Sequence, residues 1–410
     1  MRVKLYSLIV FLRSLSTGLL VPVLSLLLID KGASLSNISI IMGIYSLTVV
    51  VLELPTGILA DVIGRKKIFC LSLIVALFGY SVILIGQGMI FLCIGIIFYG
   101  TSRALSSGSF DALFIDSYIE TFGKDKLHKI TVRLSVLDSL GLSLGALTGG
   151  VLPKFSQSLI VDIGTFDLNL VAEILLIIIV LLLSVVFISE NSKSDIKKNI
   201  SLKNHIKDSS LIVIKNRTIK CIFISAFATG FFLLTIETYW QPHFTSLLPD
   251  NSMYWLLGII SFLYFASSIF GSIISEKIIE RYNLDFKKMY LILRTMLVSS
   301  LIVAALQLNA YSFIVFYTLI YLFLGMSNIP ENVILNSEIP GNIRASVLSV
   351  NSLVLQMGGL TGSLINSFII NYISIPVLWM IAAGVIFITI LIISKNFIFD
   401  RHREVQNRYE

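Results

Sequence analysis

Charge is scarce in this sequence. Only 13% of its 410 residues are charged, where a soluble domain carries about 25%, so most of its surface does not meet water. Cysteine is scarcer still. Cys70, Cys93 and Cys221 all fall inside or at the start of apolar runs. They read as small buried hydrophobes, with no disulfide framework and no zinc spacing. The four histidines, His128, His205, His243 and His402, lie in loops or at the ends of apolar runs without metal-ligand spacing. No Walker loop, Ser-His-Asp grouping or ATPase signature is present. A soluble enzyme and an ATP-driven pump are both excluded, no cofactor is expected, and energy has to come from an ion gradient or from the solute itself.

What the chain has instead is apolar length. Hydrophobic residues make up 56% of it, and runs of the ~20 residues needed to cross the hydrocarbon core recur from end to end. Twelve spans are read, at about 5–29, 36–59, 67–86, 89–117, 131–152, 167–188, 218–243, 253–275, 288–308, 311–337, 345–371 and 375–395. Gly, Pro, Asn and Ser cluster in most of the gaps. The first run continues to Ile29 without a small-residue cleavage site, so it is expected to be a spanning helix and not a signal peptide.

The net charge of +7 does not form one patch, which argues against nucleic acid. The basic residues mark alternate gaps instead. With the N-terminus in the cytoplasm, roughly 26 of them lie inside and about two, Lys31 and Lys154, lie outside. The expectation is an integral protein of the plasma (bacterial inner) membrane with both termini cytoplasmic. The Lys-rich stretch 189–217 divides six spans from six. Leu202 and Ile206 within it have the spacing of a helix lying on the membrane surface, although a flexible linker accounts for the stretch equally well.

The two halves echo one another. Phe110 to Ser117 at the end of span 4 aligns with Pro330 to Ser337 at the end of span 10, acid on acid and Asp116 on Asn336. Leu147-Thr148-Gly149 is matched by Leu360-Thr361-Gly362. Duplicated halves imply a site at their interface that opens alternately to each side. The fold class expected is an all-α membrane protein, twelve transmembrane helices in two pseudo-symmetric halves. The divisions are 1–188, a cytoplasmic linker 189–217, 218–395, and a cytoplasmic tail 396–410.

Between spans 2 and 3 stands Gly57-Ile58-Leu59-Ala60-Asp61-Val62-Ile63-Gly64-Arg65-Lys66-Lys67. Gly57 is suited to close helix approach and Gly64 to a tight turn. Asp61 and Arg65 are four apart and able to pair. This loop, with the span count and the central linker, resembles the signature of the major facilitator superfamily, and the resemblance covers the whole chain. It implies that Gly57, Asp61, Gly64, Arg65 and Asp116 form a cytoplasmic latch, and that spans 1, 4, 7 and 10 line a central cavity. The equivalent loop of the second half, near Gly271 and Glu276, is degraded. Span 5 carries Gly141, Gly145, Gly149 and Gly150, which resemble the family's antiporter motif with Ala146 in place of the usual proline. The same small-xxx-small spacing also serves ordinary helix packing.

A charged side chain at the bilayer centre costs about 2.5–3.5 kcal/mol on insertion scales, so it faces a partner or a wet cavity. The candidates for cavity and proton coupling are Arg13, Arg103, Asp111, Glu237 and Glu331, with Asp138 a weaker one. Arg13 and Asp111 both lie roughly 10 Å from their cytoplasmic ends, a depth at which they are able to pair. Asp111 and Asp116 point about 140° apart. Pro242 is expected to loosen the helix after Glu237. Tyr239 and Trp240 read equally as interfacial anchors.

These features point to a secondary transporter that exchanges protons for an amphipathic or toxic small molecule, in the manner of drug efflux. A gradient-driven nutrient symporter or facilitator is the first alternative. A non-transporting receptor on the same fold is the second. The partners are then protons, the solute and the bilayer, and the resemblance points to a monomer.

Overall fold

A computed structural model describes residues 2–107, 109–110, 113–115, 118, 127–158, 164–188, 216–282, 284–339 and 344–406. Linker residues 189–215 and the acids Asp111 and Asp116 lie outside the described residues.

The described chain is almost wholly helical. Its helices are α1 (Arg2–Leu20), α2 (Leu24–Asp30), α3 (Leu35–Ile63), α4 (Arg65–Ile85), α5 (Met89–Ser107), α6 (Leu127–Ser158) and α7 (Asp167–Phe187). Then follow α8 (Arg217–Ser246), α9 (Trp255–Tyr282), α10 (Phe286–Ala305), α11 (Ala310–Glu338), α12 (Arg344–Ile369) and α13 (Ile375–Gln406). Eleven of these are long and apolar enough to cross a membrane, and α1 with α2 makes a twelfth span bent by 50°. The sequence-read spans coincide with these helices to within a few residues at most ends. Exceptions are α5, where helical description stops at Ser107, and α6, α9 and α13, which run on to Ser158, Tyr282 and Gln406.

Two compact units emerge. The first holds Met1–Ser194 with Thr238–Phe265, and the second holds Asp195–Glu237 with Ala266–Glu410. The passage from one to the other falls inside α8 and α9. Within the first unit α1 packs on α6 and α7, α5 packs on α3 and α4, and α4 packs on α7. Within the second, α10 packs on α11 and α13. An apolar core of Ile219, Ile222, Tyr290, Ile334, Leu335, Val347 and Ile393 joins α8, α10, α11, α12 and α13.

Local chemistry explains the breaks. Pro22 lacks an N–H and interrupts the first span. The backbone groups freed there are taken up by one side chain from the C-terminal part of α8. Gln241 Nε2 donates to the Val21 carbonyl at 2.6 Å, and the Ser25 N–H donates to Gln241 Oε1 at 2.7 Å. Pro242, expected to loosen α8, does not end it, because the helix continues to Ser246. Gly64 has φ of +113° between α3 and α4, the left-handed backbone that glycine adopts without strain.

Glycines also set the closest helix contacts. A Cβ on Gly141 would meet the Phe11 carbonyl at 2.6 Å, and Cβ atoms on Gly145 and Gly149 would collide with the carbonyls of Leu15 and Leu19. The second unit repeats the seam, with Gly358 against the Phe227 carbonyl and Gly230 against that of Leu355. Gly57 behaves otherwise. It was expected to bring helices together, but a Cβ there would have no atom within 4 Å. The close approach in this region uses Thr56 instead, whose hydroxyl donates to the Ala104 carbonyl of α5 at 2.9 Å.

Candidate functional site

Polar side chains inside the apolar helices gather at two places, one in each unit. In the second unit, Glu331 sits half-buried on α11. The Tyr290 hydroxyl of α10 donates to Glu331 Oε2 at 3.0 Å. Tyr290 also shares a 2.5 Å hydrogen bond with Ser225 of α8. Arg294, one turn beyond Tyr290 and only 1% exposed, donates through Nη2 to Ser225 Oγ at 2.7 Å and to the Thr229 hydroxyl. Its guanidinium lies 5.4 Å from the Tyr290 ring centre.

The direction of this chain of bonds is fixed at its two ends. Arginine has no acceptor, so Ser225 receives from Arg294; Tyr290 gives its one hydroxyl proton to Glu331 and therefore accepts from Ser225. A buried cation and a half-buried carboxylate are thereby linked through two hydroxyls without direct contact.

Glu237, also in the second unit, is exposed although Thr235, Ile236, Thr238 and Tyr239 around it are buried. The Tyr321 hydroxyl of α11 is within electrostatic reach of it, and Tyr321 lies 3.4 Å from the Tyr317 hydroxyl.

In the first unit, Arg13 of α1 donates to Ser106 of α5 at 3.2 Å, lies 3.7 Å from Asp138 of α6, and stands 5.2 Å from the Phe110 ring centre. Ser14 also donates to Asp138. Asp138, the weaker candidate by sequence, is thus the carboxylate found with Arg13. The Arg13–Asp111 pair expected from depth lies outside the described residues. Arg103 is exposed on α5, one turn from Tyr99. Of the latch residues, Gly64 makes the expected turn, and neighbouring Lys66 donates to the Val185 carbonyl at 3.0 Å, capping the last turn of α7. The Asp61 side chain lies outside the described residues. Gly141, Gly145 and Gly149 face α1, whereas Gly150 meets Gly258 of α9, so the four glycines do not act on one surface.

Two buried charged residues escaped the sequence reading. Arg294 lies about 12 Å into α10 and Glu173 about 9 Å into α7. Both stand inside expected spans, where any ionisable residue is a candidate by cost alone. Spans 6 and 9, which carry them, lie outside the four that the family resemblance places around the cavity.

Bent and broken spans, repeated glycine seams and buried ionisable groups describe a polytopic helical membrane protein. The family model of the Major Facilitator Superfamily matches residues 6–293, and the chain belongs to that superfamily. It is 23% identical over 261 residues to the uncharacterized MFS-type transporter YxaM of Bacillus subtilis, a match spanning 61% of each chain. It is 22% identical over 391 residues to the quinolone resistance protein NorA of Staphylococcus aureus, covering 94% of this chain and 95% of that one. Among solved structures, the nucleoside transporter NupG superposes with a TM-score of 0.79 at 15% identity, covering 97% of this chain and 99% of that one. A bacterial homologue of the lysosomal transporter Spinster, inward-facing and occupied, does so with a TM-score of 0.72 at 13% identity, covering 98% and 96%. The expected twelve-span major facilitator fold is therefore the observed one, and the chain is a membrane transporter by family.

Proposed function

We propose that the chain is a proton-coupled antiporter of the plasma membrane, exporting an amphipathic or toxic small molecule, with both termini in the cytoplasm and the monomer as working unit. The observation that carries the coupling is the directed relay from Arg294 to Glu331. With Glu331 ionised, the Tyr290 and Ser225 hydroxyls and Arg294 Nη2 each have an acceptor. A proton arriving on Glu331 removes the negative charge that receives the Tyr290 proton and weakens the charge-assisted bond joining α10 to α11, while Arg294 stays bonded to Ser225 and Thr229 of α8. A protonation that favours one arrangement over another shifts the balance of conformations by the difference in free energy between them. Glu237 and Asp111 are the further carboxylates available to carry the exchanged proton.

Export is supported by the likeness to a quinolone resistance protein along nearly the whole chain. The alternative of gradient-driven nutrient uptake draws on the NupG fold, a nucleoside transporter. Everted membrane vesicles with an imposed pH gradient separate them. Antiport gives gradient-driven accumulation of a cationic dye or a quinolone, abolished in the combined variant Asp111→Asn, Glu237→Gln and Glu331→Gln. Accumulation undiminished by that variant overturns the reading. Nucleoside uptake into right-side-out vesicles, rising with the gradient, favours the symporter.

A further inference from the structure

The first unit contains a buried carboxylate that the relay does not use. Glu173 on α7 is 1% exposed. The hydroxyls of Ser16 on α1 and Tyr80 on α4 bond its carboxyl group, while Oε2 has no hydrogen-bond partner. One turn earlier on α7, Asn169 is 0% exposed. Its Nδ2 donates to the carbonyls of Leu19 and Gly149 at 2.9 and 2.8 Å, which turns its Oδ1 away from both, and that oxygen too is without a partner. Two unpartnered acceptor oxygens, one turn apart, therefore stand against the segment Ser16–Leu19 of α1. A cavity of about 50 Å³ shares Tyr80 with this group and is lined also by Thr17, Leu20, Val21, Tyr99 and Leu170 among others. A void of that size exceeds the ~10–15 Å³ that one water requires.

Burying an acceptor without a donor costs about 1–3 kcal/mol, and more for a charged group. Glu173 has no arginine or lysine beside it among the described residues. The titratable groups around it are Tyr80 on α4, Tyr99 on α5 and Tyr45 on α3; the Tyr80 and Tyr99 rings are tilted at 5.4 Å and the Tyr45 and Tyr99 rings stack at 5.1 Å. Arg103 lies beyond Tyr99, and Arg13 is engaged with Asp138. The set is one carboxylate, one carboxamide and several hydroxyls, all oxygen donors with a single negative charge. A divalent ion would leave a net positive charge in an apolar wall, and a water would leave the negative charge uncompensated. One monovalent cation balances both charge and lone pairs.

We infer that Glu173 and Asn169, with Ser16 and Tyr80, form a binding site for one monovalent cation in the N-terminal unit, separate from Glu331. The cation is either a proton held on Glu173 or a sodium ion held among the four side chains. The site stands independently of the export reading, and its test needs no transported solute.

The test uses purified full-length protein in detergent. Dicyclohexylcarbodiimide modifies carboxyl groups that carry a proton in apolar surroundings, and the modified peptide is read by mass spectrometry. Thermal unfolding is followed in parallel while NaCl replaces choline chloride at constant ionic strength. If the cation is a proton, Glu173 is labelled several-fold more than the surface carboxylates, and sodium changes neither labelling nor midpoint. If it is sodium, NaCl raises the midpoint and suppresses labelling, and both responses vanish in Glu173→Gln while Glu173→Asp keeps them in weakened form. Absence of labelling at Glu173, together with a midpoint indifferent to sodium, overturns the site. The labelling arm is read on the unmodified chain, so it holds even where Glu173→Gln fails to fold.

Discussion

Gly145 of α6 and Gly18 of α1 exclude side chains from one another reciprocally. A Cβ on Gly145 would lie 2.8 Å from the Gly18 Cα, and one on Gly18 would lie 2.9 Å from the Gly145 Cα. Forcing an added methyl into such a contact costs about 1–3 kcal/mol. Gly145→Ala is expected to lower the thermal midpoint and the yield of monodisperse protein, and Gly358→Ala to do the same in the second unit. Gly57→Ala, with open space at its Cβ, is expected to match wild type in both. Thermal stability by fluorescence-detected size exclusion compares the three directly, and equal midpoints for Gly145→Ala and Gly57→Ala would remove the packing account of the motif.

Lys31, read from sequence as one of two exterior cations, is not free. It is 2% exposed, and its Nζ lies 2.8 Å from Asp167 Oδ1 and donates to the Leu84 carbonyl at 2.9 Å. Removing one partner of a buried pair costs about 3–5 kcal/mol because the other charge is left uncompensated. Lys31→Met alone is expected to destabilise strongly, whereas Lys31→Met with Asp167→Leu recovers most of the loss. Thermal midpoints of the two singles and the double form the cycle, and additive losses would show that the pair is not coupled.

The clamp on the broken first span rests on one amide. Gln241→Ala leaves the Val21 carbonyl and the Ser25 N–H without their partner, at about 1–3 kcal/mol for each group that finds no replacement. Gln241→Glu keeps the acceptor for Ser25 and loses the donor for Val21, so it is expected to fall between alanine and wild type. Hydrogen exchange at the Ser25 amide reads the local effect, and unchanged protection in Gln241→Ala would refute the clamp.

Tyr290→Phe severs the relay while leaving the ring, and with it the contact to Arg294. The hydroxyl makes two hydrogen bonds, to Glu331 and Ser225, and each lost costs about 0.5–1.5 kcal/mol of stability. The proposed coupling predicts a functional change as well: transport in vesicles responds less steeply to the imposed pH gradient, while substrate binding at zero gradient is retained. A gradient response equal to wild type would separate Tyr290 from coupling.

Much of the architecture was legible because bilayer thickness imposes a length on every helix. The ends of α3, α7 and α12 follow from apolar runs bounded by Asn, Gly and basic residues. The break at Pro22 was not legible, since the run continues through it. Whether a proline breaks a span or rides inside it, as Pro242 and Pro330 do, depends on which partner takes the freed backbone groups, and Gln241 is 219 residues away from Pro22 in sequence. The site was legible in part. Glu331 and Glu237 announce themselves by cost, but Arg294 and Glu173 obey the same rule on helices outside the four expected to matter. Their partners Ser225, Thr229 and Tyr80 are ordinary residues that only tertiary packing singles out.

The glycine seams join helices through main-chain atoms, the one part of a protein that substitution leaves in place. The residues flanking Gly145 and Gly358 are therefore free to drift toward new solutes without disturbing how the helices meet. A scaffold with seams of this kind concentrates its intolerance in a few hydrogens and leaves the rest of the bundle open to change. Diversification then needs no redesign of the frame.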